Sequence, residues 1–143
     1  MPHVLTLYDS KIKKKRIFKA QDESHVKMYV CGPTVYDTPH IGNARPAVVF
    51  DVLSRLLRSN YEKLTYVRNI TDVDDKIQLA AQKERVAIDV ITDRYTKLYH
   101  HDMEKLNCLA PDVEPKATEH ITVMIELIDK LVTRKHAYAV SYT

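Results

Sequence analysis

KMYVCGPTVYDTPHIGNARPAVVF, residues 27–50, is the stretch that decides the fold. It begins with a short apolar, β-prone run, residues 27–31, followed by Gly-Pro, which predicts a strand that ends in a sharp loop. Apolar residues then recur at helical spacing over residues 43–58. Because proline is tolerated only in the first turn of a helix, Pro46 predicts a helix start at about residues 43–45.

The flanking segments complete a βαβ unit. Residues 63–70 predict a second strand, parallel to the first and reached by a right-handed crossover. Upstream, residues 4–8 and 16–18 predict a hairpin, and downstream the pattern predicts three helices and the start of a strand: 75–83, 88–106, 118–134 and 137–142. Pro111 and Pro115 are expected to break the chain between the last two helices. The fold class is therefore α/β, and one such unit is half of a doubly wound domain.

Composition narrows the class of protein. A chain of 143 residues with 45% hydrophobic and 29% charged residues fits one globular domain and excludes a disordered or fibrous chain. A net charge of +3 neither implies nor excludes a nucleic-acid partner. We expect no membrane span, since no apolar run approaches ~18 residues. We expect no secretory signal, since the N-terminus has no basic segment followed by an apolar stretch. Two cysteines without paired spacing, Cys31 and Cys108, predict a reducing, cytoplasmic setting.

The loop of residues 31–43 is the expected site of chemistry. It contains both glycines of the chain, Gly32 and Gly42, where average usage would give about ten. It lies at the carboxyl end of a strand, where open α/β sheets bind ligands, and before a helix N-terminus, which favours phosphate. Neither a Gly-x-Gly-x-x-Gly fingerprint nor a P-loop is present, so if phosphate binds here, side chains must contribute. If the first helical turn reaches back to residue 40, His40 and Asn43 lie on one face of the helix.

Three blocks of the sequence carry a resemblance to a known family. YVCGPTVYD (residues 29–37), HIGNAR (40–45) and VRNITDVDDKI (67–77) resemble the cysteinyl-tRNA synthetases, which are class I aminoacyl-tRNA synthetases. The likeness extends from about residue 3 to the last residue. It implies that residues 1–143 form the N-terminal part of a class I Rossmann-like (HUP-type) catalytic domain, without the rest of that domain or the tRNA-binding region.

The resemblance also implies a function and a set of site residues. The family activates cysteine with ATP to give cysteinyl-adenylate and transfers it to tRNA-Cys, with Mg²⁺ accompanying ATP and Zn²⁺ binding the thiol of the substrate. A soft thiolate is a good zinc ligand and a hydroxyl a poor one, so zinc can reject serine. The resemblance implies that His40, Gly42 and Asn43 bind ATP, and that His40 and Asn43 are catalytic. It implies that Cys31 binds zinc, and that the substrate cysteine is bound by Thr71, Tyr36 and Gly32.

The sequence departs from the family pattern in three respects. Asn43 stands where the class I signature usually has its second His; its amide donates hydrogen bonds but carries no charge. The Lys-Met-Ser-Lys-Ser loop and the remaining zinc ligands of the family do not occur in the 143 residues. We therefore expect the 143-residue chain alone to be inactive and to lack a four-ligand zinc site.

Several alternatives remain open at the sequence level. The protein is either a tRNA-charging enzyme, a related ligase that joins activated cysteine to a small amine, or a non-catalytic nucleotide-binding module. Asp72, Asp74 and Asp75 either cap a helix or form a metal or amino-group site. The basic run of residues 13–16 is expected to be a solvated strand edge, with a phosphate-backbone contact as the alternative. An exposed sheet edge predicts self-association.

Overall fold

The computed structural model describes residues 4–140. Within this range it has two two-stranded sheets, four α-helices and one 3₁₀ helix, so the predicted α/β class is confirmed. In chain order the elements are β1 Thr6–Asp9, β2 Lys14–Ile17, β3 Val26–Val30, α1 Ile41–Asn60, β4 Leu64–Arg68, α2 Asp75–Glu84, α3 Ile88–Lys105, the 3₁₀ helix Ala117–His120 and α4 Ile121–Thr133.

The predicted βαβ unit is present. Strands β3 and β4 pair in parallel, with Val26 opposite Leu64, and α1 connects them and packs against both. Side chains along β4 alternate between the two faces of the sheet, so that Leu64 and Tyr66 are buried. They pack with Val30 of β3 and Leu57 of α1 in one core cluster. Burial of this apolar surface fixes the register, because a slip of one residue would turn the buried side chains to the other face.

A third extended segment, residues 113–116, lies along the edge of β4 away from β3. The backbone N–H of Arg68 donates to the carbonyl of Val113 at 3.1 Å, and that of Ile70 donates to Pro115 at 2.9 Å. As expected, both prolines lie between helices, since α3 ends at Lys105 and the 3₁₀ helix begins at Ala117. Pro115 contributes its carbonyl to the pairing, which a missing N–H does not prevent.

Helix α1 begins at Ile41, earlier than the predicted start at residues 43–45. His40 is the N-cap, and a capping box holds the first turn: Gly42 N–H donates to His40 Nδ1, and His40 N–H donates to Asn43 Oδ1, both at 3.0 Å. These bonds satisfy two donors at the helix start. They set the helical backbone before Pro46, which therefore lies in the second turn.

Three smaller differences concern element bounds. The hairpin pairs residues 6–9 with 14–17, instead of 4–8 with 16–18. The last predicted helix is divided into the 3₁₀ helix and α4. Residues 137–140 are not a strand, so that prediction was wrong for them, and the rest of that predicted strand, 141–142, falls outside the described residues.

Two further findings bear on the setting of the protein. Cys31 and Cys108 are both free thiols. Among residues 4–140, no helix combines the length and the apolar character needed to cross a bilayer.

Candidate functional site

The loop between β3 and α1 is bound to the loop that follows β4. Val35 N–H donates to the carbonyl of Thr71 at 3.2 Å, and Thr71 N–H donates to that of Pro33 at 3.0 Å. Val35 is buried beneath this junction. Both loops lie at the carboxyl ends of parallel strands, as predicted, and the junction brings Thr71 against the loop of residues 31–40.

The ring of His40 has a defined tautomer. Its Nδ1 accepts the hydrogen bond from Gly42 N–H, so the neutral ring carries its proton on Nε2. The side chain is exposed beyond this bond. A Cβ on Gly42 would lie 2.7 Å from His40 Cε1 and 2.8 Å from Nδ1, closer than such atoms pack. Because Gly42 has no side chain, the ring of His40 can occupy this space. His40 therefore presents an Nε2–H donor at the start of α1.

The amide of Asn43 is oriented in the same way. Because its Oδ1 accepts from the backbone N–H of His40, its Nδ2 group points away from that bond and is available as a donor. Asn43 acts in the cap, as its sequence position allows, and this role leaves both Nδ2 hydrogens for a ligand. The Nδ2 group of Asn43 and the Nε2–H of His40 are therefore two hydrogen-bond donors at the N-terminus of a 20-residue helix, which is the positive end of its dipole.

His40, Asn43 and Tyr36 line one small cleft. Its walls are residues 33–40, Asn43, and two tyrosines of α3, Tyr95 and Tyr99. The cleft volume is about 60 Å³, whereas small-molecule sites usually enclose about 300–1,000 Å³. The cleft therefore has room for part of a nucleotide, such as a phosphate group, and not for the whole molecule.

Cys31 directly follows β3 and is exposed. Its Sγ has one weak contact, with the Gly32 carbonyl at 3.7 Å, and it does not line the cleft that contains His40. No group of three or more His, Cys, Asp or Glu side chains suited to a metal occurs in the described part of the chain. The thiol of Cys31 fits the role of one zinc ligand, and the other ligands of a tetrahedral site would have to come from elsewhere.

Sequence analysis missed one polar residue of this region. Asn69 Oδ1 accepts from Gly32 N–H at 3.0 Å, and its Nδ2 donates to Thr71 Oγ1 at 3.1 Å. It therefore joins two of the residues assigned to the substrate. Asn69 could have been noticed in the sequence because it belongs to the block of residues 67–77 and lies between the end of β4 and Thr71.

The acidic residues after β4 have structural partners. Asp72 is buried and accepts hydrogen bonds from the N–H and the hydroxyl of Thr118, at the start of the 3₁₀ helix. Asp74 is the N-cap of α2 and accepts from Lys76 N–H at 2.8 Å, while Asp75 lies in the first turn. The capping alternative is confirmed for Asp74, and Asp75 lies in the first turn, where acidic residues are favoured. Asp72 instead accepts hydrogen bonds from Thr118 in the 3₁₀ helix.

Comparison with known families gives one match over most of the chain. Residues 17–143 match the family described as the tRNA synthetases class I (C) catalytic domain. Three similar relatives are cysteine–tRNA ligases: those of Wolbachia pipientis (strain wPip), Paramagnetospirillum magneticum and Rickettsia prowazekii, which are 56%, 55% and 52% identical over 94% of this chain. The chain spans 29% to 30% of the length of these relatives.

A solved structure has a similar fold. An arginyl-tRNA synthetase described as putative, from Campylobacter jejuni, superposes with a TM-score of 0.66, over 86% of this chain and 37% of its own. The two sequences are 16% identical, so this likeness concerns the fold alone.

Proposed function

The chain belongs to the class I (C) family of tRNA synthetase catalytic domains, and from this premise we propose that the protein activates cysteine with ATP and transfers it to tRNA-Cys. The observation that carries the proposal is the identity of more than half of the residues to cysteine–tRNA ligases over nearly the whole chain. Residues 1–143 would then form the N-terminal part of the catalytic domain.

His40 and Asn43 are proposed to act on the phosphates of ATP. In adenylate formation an oxygen of the cysteine carboxylate attacks the α-phosphorus, and the bond to pyrophosphate breaks. Negative charge builds on the phosphate oxygens, and the Nε2–H of His40 and the Nδ2 group of Asn43 are oriented before the reaction to donate to them. Removal of one such donor typically lowers the rate by about 10²–10³. Gly42 keeps the space in which the His40 ring lies.

Thr71, Gly32 and Tyr36 are proposed to surround the amino acid. Backbone bonds of residues 33, 35 and 71 hold together the loops that follow β3 and β4, and these loops contain all three residues. Cys31, beside Gly32, would contribute one thiolate to Zn²⁺. When bound, zinc would supply a soft Lewis acid that prefers the thiol of cysteine to the hydroxyl of serine, and Mg²⁺ would accompany ATP.

The geometry supports a site that this segment builds only in part. A cleft of about 60 Å³ holds a fraction of ATP, and Cys31 supplies one of four metal ligands. We therefore propose that the 143-residue chain by itself does not turn over.

A chimera tests the proposed function. Residues 1–143 would replace the matching segment of the Wolbachia pipientis (strain wPip) ligase, and cysteine-dependent ATP–pyrophosphate exchange would be measured. We expect exchange by the chimera, a loss of at least about 10²-fold in His40→Ala, and none by the 143-residue chain alone. Absence of exchange in the chimera would favour a non-catalytic nucleotide-binding module. Transfer to small amines, with no charging of tRNA-Cys, would favour the related ligase.

A further inference from the structure

The side chain of Asn69 joins the loops that follow β3 and β4. Its Oδ1 accepts from the backbone N–H of Gly32 at 3.0 Å, and its Nδ2 donates to Thr71 Oγ1 at 3.1 Å. Asn69 is half-buried and comes directly after the end of β4. The roles assigned above to ATP, zinc and cysteine leave this bridge without a function.

The bridge determines which way the amide of Asn69 faces. A backbone N–H can only donate, so the atom opposite Gly32 must be the amide oxygen. The NH₂ group then has to face Thr71, and the usual ambiguity between the two ends of an asparagine amide does not arise. The direction of the second hydrogen bond therefore follows from the first.

This direction controls what the hydroxyl of Thr71 can offer. Thr71 Oγ1 accepts from Asn69, and it makes no other hydrogen bond within residues 4–140. A hydroxyl has one hydrogen and two lone pairs, so the hydrogen of Thr71 stays free to be donated to a ligand. A donor at this position suits an anionic acceptor, such as a carboxylate or a thiolate.

We propose that Asn69 is a positioning residue, which fixes Thr71 as a hydrogen-bond donor to an anionic acceptor atom of the substrate amino acid. This inference rests on the proposed function, in which Thr71 lines the cysteine pocket. The same amide holds Gly32, whose neighbour Cys31 is the proposed zinc ligand. Asn69 therefore links the residue that would contact the amino acid to the loop that would bind its sulfur.

Asn69→Asp is the informative variant. Aspartate keeps an oxygen for the N–H of Gly32 but has no N–H for Thr71, so the hydroxyl of Thr71 donates to the carboxylate instead of the substrate. In the chimera described above, we expect the KM for cysteine to rise by about tenfold or more and the KM for ATP to stay within about twofold. Thr71→Val should raise the KM for cysteine to a similar extent, and the double variant should be no worse than either single one.

Two controls separate positioning from folding. Asn60→Ala removes an asparagine whose Nδ2 donates to the Leu56 carbonyl at the far end of α1, and it should leave both KM values unchanged. Hydrogen exchange of the Gly32 amide in the 143-residue chain tests the bridge without any activity. We expect protection in wild type and in Asn69→Asp, and its loss in Asn69→Ala.

Each result has one consequence. An active chimera in which Asn69→Asp leaves the KM for cysteine unchanged would overturn the inference and leave the proposed function standing. A parallel rise of both KM values, together with a lower melting temperature, would assign Asn69 a structural role only. Equal exchange of the Gly32 amide in all three proteins would overturn the bridge itself. Absence of exchange activity in the wild-type chimera would instead overturn the proposed function.

Discussion

At the scale of single residues, Gly42 and Gly32 have different neighbours, so substitution of each by alanine should have opposite effects on activity and stability. A Cβ at Gly42 would meet only the ring of His40, at 2.7 Å from Cε1. A side-chain ring can turn away, so Gly42→Ala should leave the free energy of unfolding within about 1 kcal/mol of wild type, helped by the better helix propensity of alanine. The displaced ring should lower exchange activity in the chimera by about 10²-fold.

The ring nitrogens of His40 give a direct measurement for Gly42→Ala. In wild type, ¹⁵N chemical shifts should report a neutral ring protonated at Nε2, because Nδ1 accepts from Gly42. In the alanine variant, we expect the shifts of the two nitrogens to approach those of a free imidazole. Unchanged shifts together with full activity would show that the ring does not depend on Gly42.

Gly32→Ala should instead damage folding. A Cβ at this position would lie 1.6 Å from the backbone carbonyl oxygen of Asn69, and a backbone atom at a strand end has little room to move. We expect the free energy of unfolding to fall by about 3 kcal/mol or more, measured as the shift of the urea midpoint by circular dichroism. Gly42→Ala is the matched control, and equal midpoints for the two variants would contradict this account.

Sequence reasoning reached the residues of the site more easily than their contacts. His40, Asn43 and Thr71 were found because they belong to contiguous blocks with a known family pattern. The bridge of Asn69 was not found, because it joins positions 32 and 69 and depends on the parallel register of β3 and β4. The capping box was only half anticipated: Asn43 was expected at a helix start, whereas His40 proved to be the N-cap.

At the scale of elements, Asp112 is a charged anchor at the start of the extended segment of residues 113–116, and it has a predictable pH dependence. The carboxylate of Asp112 accepts from the N–H of Tyr66 at 2.7 Å and from Arg58 at 2.8 Å. The hydrogen bond from Tyr66, and next the guanidinium of Arg58, hold the pKa of Asp112 below its ordinary value. A carboxyl whose pKa is lowered by folding stabilises the protein above its unfolded pKa, and the contribution is lost as the pH falls through the folded pKa.

Asp112→Asn tests this anchor. At pH 7 the variant should be less stable than wild type by about 1 kcal/mol, the value of a single partly exposed hydrogen-bonded charge. The difference should begin to shrink as the pH falls below the ordinary carboxyl pKa of about 4, and it should vanish only once the pH has fallen through the lowered pKa of Asp112 in the folded state. Urea unfolding at a series of pH values measures both. Asp129→Asn on α4, where the carboxylate has no hydrogen bond or ion pair within residues 4–140, should show no such dependence.

The elements themselves follow from periodicity, and their exceptions follow from tertiary contacts. The spacing of apolar residues located every helix to within a few residues, because burial of one face selects the period. The segment of residues 113–116 has no strand pattern of its own, since Pro115 interrupts it, and only the free edge of β4 makes it extended. The extended conformation of this segment is therefore determined by the neighbouring strand and not by its own sequence.

At the scale of the whole molecule, α4 is the element that the described fold leaves uncovered. Among the helices and strands of residues 4–140 it packs only against the 3₁₀ helix, and none of its residues is buried. Apolar side chains nevertheless occur along it, with Ile125 and Ile128 55% and 54% exposed. A helix with so much apolar surface is normally covered. The sequence predicted self-association from a sheet edge, and the structure adds this helix as a further surface for it.

We therefore expect the 143-residue chain to associate with itself through α4. In an antiparallel pair of copies that meet along the apolar face, Ile128 of each copy would lie against that of the other, while Glu126 and Lys130, about 160° around the helix from Ile128, would stay in water. Sedimentation velocity over a range of concentrations should give a rising average mass, and Ile125→Lys with Ile128→Lys should abolish the rise.

The control is Leu79→Lys with Val90→Lys, which introduces the same charge at residues 63% and 44% exposed on α2 and α3. This variant should still associate. A constant monomer mass for the unsubstituted chain would contradict the prediction, and loss of association in both double variants would place the contact elsewhere than on α4.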